Sequence, residues 1–207
     1  MLATLITIWL LHVAALLSPG ANVLLVSQLA ASDRGRSAVF AALGVTLGAL
    51  LWATFAVLGV HAVFAAFPGL RLGLQILGGV YLLTVAIRLW RSRGPELGEP
   101  VPAVSMSIAF RLGFLTNITN PKSALFFSSV FAASFPAAPS LGLQVSAVAM
   151  IVINALGWHT LLAYLFSRPR VRAGYARSRS TANRVASSLL GALGVGLLVS
   201  TLRETKP

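Results

Sequence analysis

Long apolar runs alternate along this chain with short polar connections. A helix needs about 20 apolar residues to cross a bilayer, and six runs meet that length, at 2–31, 37–64, 70–90, 106–135, 140–166 and 184–202. The connections between them, SDRGRS, FPGLR, WRSRGPELGEPVPAV, FPAAPS and SRPRVRAGYARSRSTANR, carry the Gly, Pro and Arg punctuation that ends helices. The pattern predicts an all-α integral membrane protein with six transmembrane helices in a single transmembrane domain, 1–207, with no soluble domain.

Two runs are interrupted inside. The first reads HVAALLSPGANVLLVSQLA and the second FRLGFLTNITNPKSALFFSSVFA. Proline removes a backbone donor and blocks the bond to the preceding turn, and it pushes the residue before it out of the α region. The freed backbone groups are intolerable against lipid but acceptable where they line a cavity or a ligand. The long third connection, 93–105, divides the chain into 1–92 and 106–207, each with three spans and each opening on an interrupted one. An odd span count turns the second half over relative to the first. Matched breaks in such halves predict two inverted repeats with broken first helices, rocking in alternating access about a midplane site.

Composition reinforces the membrane reading: 57% of the 207 residues are hydrophobic and mean hydropathy is +0.86. The net charge of +12 follows topology rather than nucleic acid. Eleven of the 16 Lys and Arg lie in connections one, three and five or, for Arg88, at the span end beside one, and six of these fall from Arg168 to Arg184. The positive-inside rule then puts those connections in the cytoplasm and both termini outside. The first run lacks a basic leader and continues past its break, so it is expected to be a mature span rather than a signal peptide. With no cysteine, disulfides, thiolate metal sites and dithiol redox chemistry are excluded.

The chemistry gathers at the breaks. The half-helices starting at about Ala21 and Pro121 present unpaired amides and positive dipole ends, which suit a carboxylate. The half-helices before them end in free carbonyls, which suit an ammonium. Together they fit a zwitterion. Asn22, Asn117 and Asn120 can donate and accept, with Ser18 and Thr119 adding hydroxyls, either as ligands or as caps on the broken ends. Lys122, alone among lysines in lying inside a span, either holds a substrate carboxylate or ties down half-helix carbonyls. All four acids (Asp33, Glu96, Glu99, Glu204) lie outside the spans, so a neutral substrate is expected, and His12 and His159 are the candidates for a proton relay. Three histidines with no cysteine and no intramembrane acid argue against a metal site. No nucleophile has an orienting acid within the membrane, so no enzyme is expected. Gly44 and Gly48 mark a close helix contact. Trp52 and Trp158 occupy similar places in the second span of each half, as cavity wall or packing. Trp9 and Trp90 read as interface anchors.

Several stretches in order, SPGANVLLV, AALGVTLGAL, LQILGGVYLLTVAIRLWR and AFRLGFLTNITNPKSALFFSSVFAASF, resemble the LysE/RhtB superfamily of amino-acid exporters over most of the chain. The resemblance implies a bacterial inner-membrane protein that exports amino acids or related metabolites. It further implies coupling to a proton or sodium gradient, a homodimeric state and no cofactor, with Pro19, Gly20, Asn22, Asn117, Asn120, Pro121 and Lys122 in the transport core. Members commonly carry an aspartate after the second glycine of the span-two motif, where this chain has Ala49. The alternatives are export of another small solute or a metal ion, or a membrane scaffold that transports nothing.

Overall fold

A computed structural model describes residues 1–18, 20–32, 35–66, 104–136 and 138–204, and within 73–91 the helical residues 73, 76, 79, 80, 83, 84, 86, 87, 90 and 91. Pro19 and most of the expected third span lie outside the described residues, which are helical throughout apart from short turns. In order the helices are α1 (Leu2–Leu17), α2 (Ala21–Ser32), α3 (Arg36–Ala66), α4 (Met106–Ile118), α5 (Pro121–Ser134), α6 (Leu141–Phe166) and α7 (Pro169–Glu204).

Both expected interruptions are present. Helix α1 ends at Leu17, with Ser18 extended, and α2 starts at Ala21 on an axis bent by 53°. Helix α4 ends at Ile118, and α5 starts at Pro121 after Thr119 and Asn120. Proline at a first helical position costs no hydrogen bond, because that amide would be unpaired anyway. Among the described residues, α3 over Arg36–Gly59 and α6 over Leu141–Phe166 are long and apolar enough to cross a membrane. The bent pair α1 and α2 qualifies as a third, broken span.

One boundary departs from the sequence reading. The segment Arg168–Arg184, expected as a connection, is helical: only Ser167 and Arg168 turn, and α7 then runs unbroken for 36 residues. After Pro169 the basic stretch carries a single glycine, Gly174, and otherwise residues that a helix accepts. At 1.5 Å per residue α7 is about 54 Å long, well beyond a hydrocarbon core of about 30 Å, so its arginine-rich end can project from a bilayer.

Helix α3 is the centre of the packing, and its most extensive contact is with α4. A Cβ added at Gly44 would collide with the carbonyl of Phe110 on α4, and one at Gly113 with the carbonyl of Ala41 on α3. The two backbones therefore touch, as the GVTLG spacing predicts. Gly35, with φ at +97°, makes the turn into α3 in a region only glycine enters readily. Helices α4, α5 and α6 are each capped by a side chain, from Ser105, Asn120 and Ser140, which accept from the amides of Ile108, Lys122 and Leu143. An aromatic column on α5 (Phe126, Phe127, Phe131, Phe135) joins α1, α3 and α6 in one apolar cluster. A second cluster ties α2 to α3, α4 and α6.

Candidate functional site

The two breaks meet at one cavity of about 60 Å³. On the scale of about 10–15 Å³ per enclosed water, it holds a handful of waters or a small solute. Of the residues expected at a site, Gly20, Asn22, Asn117, Asn120, Lys122, His12 and His159 all line it. Pro19 lies outside the described residues, and Pro121 opens α5 at its first helical position. Ser18 contributes to the wall. Thr119 does not: its hydroxyl donates to the carbonyl of Leu115, 2.7 Å away in its own helix.

The local chemistry follows from the prolines. In an unbroken helix the carbonyl of Ala15 would accept from the amide of residue 19, and that of Asn117 from residue 121. Both are prolines and have no N–H. The missing donors are replaced from distant parts of the chain. Lys122 Nζ donates to the carbonyl of Ala15 and to that of Ser18, both at 3.0 Å. Trp52 Nε1, from α3, donates to the carbonyl of Asn117 at 3.3 Å, which also accepts from the amide of Asn120. Lys122 therefore ties down the carbonyl end of α1, one of the two roles open to it from sequence. Trp52 fastens the second break and does not line the cavity.

Asn120 is a cap: its side chain accepts from the Lys122 amide at 3.0 Å. Asn22 and Asn117 differ, since the side-chain oxygen of each is buried with no hydrogen-bond partner among the described residues. Asn117 is held against α3 because position 48 is glycine; a Cβ there would lie 2.8 Å from the Asn117 Cβ. Unsatisfied buried acceptors are costly, and two on the wall of one cavity mark where a donor is wanted.

The histidines complete the wall. His12 is buried among Phe126 and Phe127, ring centres 5.8 and 6.0 Å away, and its Nδ1 has no partner among the described residues. His159 Nδ1 lies 2.8 Å from the carbonyl of Ala155. A carbonyl only accepts, so Nδ1 carries the proton and Nε2 is the basic nitrogen of the neutral ring. Among the described residues no carboxylate lines the cavity, and Lys122 is a charged group on its wall.

Sequence reasoning missed Ser123, Phe126 and Phe127 as wall residues, although all three fall within two turns of the Asn120–Lys122 motif. Ala49 is also on the wall and 3% exposed.

Comparison with known proteins identifies the family. The threonine efflux protein of Escherichia coli K12 is 31% identical over 205 residues, spanning 97% of this chain and all of that protein. The threonine efflux protein of Salmonella typhi is 30% identical over 205 residues, with the same coverage. An uncharacterized membrane protein of Escherichia coli K12, YahN, is 30% identical over 192 residues, 91% of this chain and 86% of its own. No solved structure matches the chain. Residues 13–201 match the family described as LysE type translocator. The chain belongs to that family: it is a membrane transport protein and not an enzyme.

Proposed function

We propose that this protein exports small neutral amino acids, threonine among them, across the bacterial inner membrane by ion-coupled alternating access. One observation carries the reading: the cavity between the two breaks offers complementary partners to both ends of a zwitterion. The N-terminal turns of α2 and α5 and the Lys122 ammonium favour a carboxylate. The idle oxygens of Asn22 and Asn117 and the Nδ1 of His12 favour an ammonium. The small volume, the absence of a wall carboxylate among the described residues, and the threonine efflux relatives support a compact neutral substrate over a cationic one.

Two broken helices converging on one cavity support inverted three-helix repeats, 1–92 and 106–207, with the termini outside the cytoplasm. Pro19, Gly20, Asn22, Asn117, Asn120, Pro121 and Lys122 form the substrate site in this reading. His12 and His159 share its wall and take the coupling proton in this reading, since among the described residues no carboxylate there can.

The test is efflux of radiolabelled threonine from preloaded cells that overproduce the protein. Faster efflux than in control cells is expected, and Pro121→Ala, which returns an N–H to position 121 and mends the helix, is expected to abolish the gain. Equal efflux from Pro121→Ala cells would overturn the site. Retention of every neutral amino acid tried would overturn the substrate class.

A further inference from the structure

The two breaks are fastened unequally. Asn117, four residues before Pro121, has its carbonyl held by an indole, Trp52 on α3. Ala15, four residues before Pro19, has its carbonyl held by an ammonium, Lys122. Trp158 on α6 is the tryptophan that corresponds to Trp52 in the second half, yet its Nε1 is buried with no hydrogen-bond partner among the described residues. The same is true of Asn154 Nδ2, one turn before it.

Both idle donors line an open groove of about 260 Å³ between α1 and α6, whose rim includes the exposed Trp9, Ile153 and Leu161. Its opposite wall is Val13, Leu16 and Leu17, the last turns of α1. Leu16 lines this groove and the central cavity alike. The turn that carries the Ala15 carbonyl thus stands between two sets of donors, Lys122 on one side and Trp158 with Asn154 on the other. Asn154 and Trp158 lie near the middle of α6, at a depth where lipid has no polar group to offer them. Leaving two buried donors unmade is expensive, and the open groove beside them holds no protein atoms that would block a shift of the end of α1.

We infer that Trp158 and Asn154 are a second docking station for the carbonyl end of α1, used in the other state of the transport cycle. The inference rests on the alternating-access reading above. In the state observed, Lys122 holds Ala15 and Ser18. A substrate carboxylate in the central cavity competes for that ammonium. Once Lys122 turns to the substrate, the α1 carbonyls need other donors, and a shift of α1 into the groove brings them to the indole N–H and the carboxamide. The ligand thereby acquires different affinities for the two states, which is the requirement for driving a change between them. Trp158 and Asn154 act as positioning residues and need never touch the substrate.

The absence of cysteine makes the test direct. Ala49→Cys puts one thiol on the central cavity wall, and a membrane-impermeant maleimide is applied to right-side-out and inside-out vesicles, with and without threonine. The parent reporter is expected to label from both sides, in a ratio that threonine shifts. Trp158→Phe and Asn154→Ala are each expected to move the ratio about threefold toward the threonine-free value, the size of one interhelical hydrogen bond in a membrane. Lys122→Gln is expected to move it the opposite way. Because the two α6 variants are independent, either carries the test if the other fails to insert. Labelling ratios and threonine responses equal to the parent in the α6 variants would overturn the inference and leave alternating access standing. Parent labelling from one side only, unmoved by threonine, would overturn alternating access itself, and this inference with it.

Discussion

The ammonium of Lys122 lies 3.0 Å from the carbonyl oxygen of Ala15, a residue 107 positions earlier in the chain. It stands where an amide would be if residue 19 were not proline. Substitution with methionine keeps the length of the side chain and removes the donors. Lys122→Met should therefore lower efflux at least tenfold and destabilise the protein by about 1–3 kcal/mol, the cost of leaving buried carbonyls unmade. Threonine efflux and thermal unfolding in detergent measure the two effects separately.

Asn117 should behave differently. Its side-chain oxygen has no partner among the described residues, so removing it also removes a desolvation penalty. Asn117→Ala is expected to raise KM for threonine about tenfold with a melting temperature equal to the parent or higher. An unchanged KM with a lower melting temperature would assign Asn117 to packing.

Helix contact is testable at the glycines. Gly44→Ala and Gly113→Ala push a methyl group into the backbone of the facing helix, and each should cost roughly 1–3 kcal/mol as α3 and α4 separate. Gly59 and Gly157 have nothing within 4 Å of an added Cβ, and alanine at either should leave the melting temperature unchanged.

Proton coupling, if carried by His159, should be separable from its structural bond. An asparagine amide can replace the Nδ1–H that faces the Ala155 carbonyl, but it has no titratable nitrogen. His159→Asn is expected to fold normally and to transport threonine with no response to an imposed pH gradient. A pH response equal to the parent's would leave His12 as the remaining carrier on the wall.

Ala49 offers the converse experiment. It lines the cavity where other members of the superfamily commonly carry an acid. Ala49→Asp places a carboxylate among Lys122, His12 and His159, and it should shift the pH dependence of efflux away from the parent's. Unchanged pH dependence would show that this position does not set coupling.

The membrane environment, the two breaks and most of the polar part of the cavity wall were legible in the chain alone. Hydropathy adds up residue by residue, and a proline's missing N–H is a covalent property that no neighbour can alter. Pro19 and Pro121 therefore located the interruptions, and the polar residues beside them, Gly20, Asn22, Asn117, Asn120 and Lys122, located the wall. The helical start of α7 is not legible in the same way, because dense arginine reads as a connection although those residues form helix well.

Which donor answers which carbonyl was decided only in three dimensions. Asn120 caps while Asn117 waits, Thr119 turns back on its own helix, and Trp52 is engaged while Trp158 is idle. Nothing in the local sequence separates these outcomes. They depend on side chains about a hundred residues apart, on a glycine at 48 that lets Asn117 approach, and on a cavity and a groove that exist only once α1, α5 and α6 are packed. Local covalent chemistry settled where the backbone would lack partners, and long-range packing settled who supplied them.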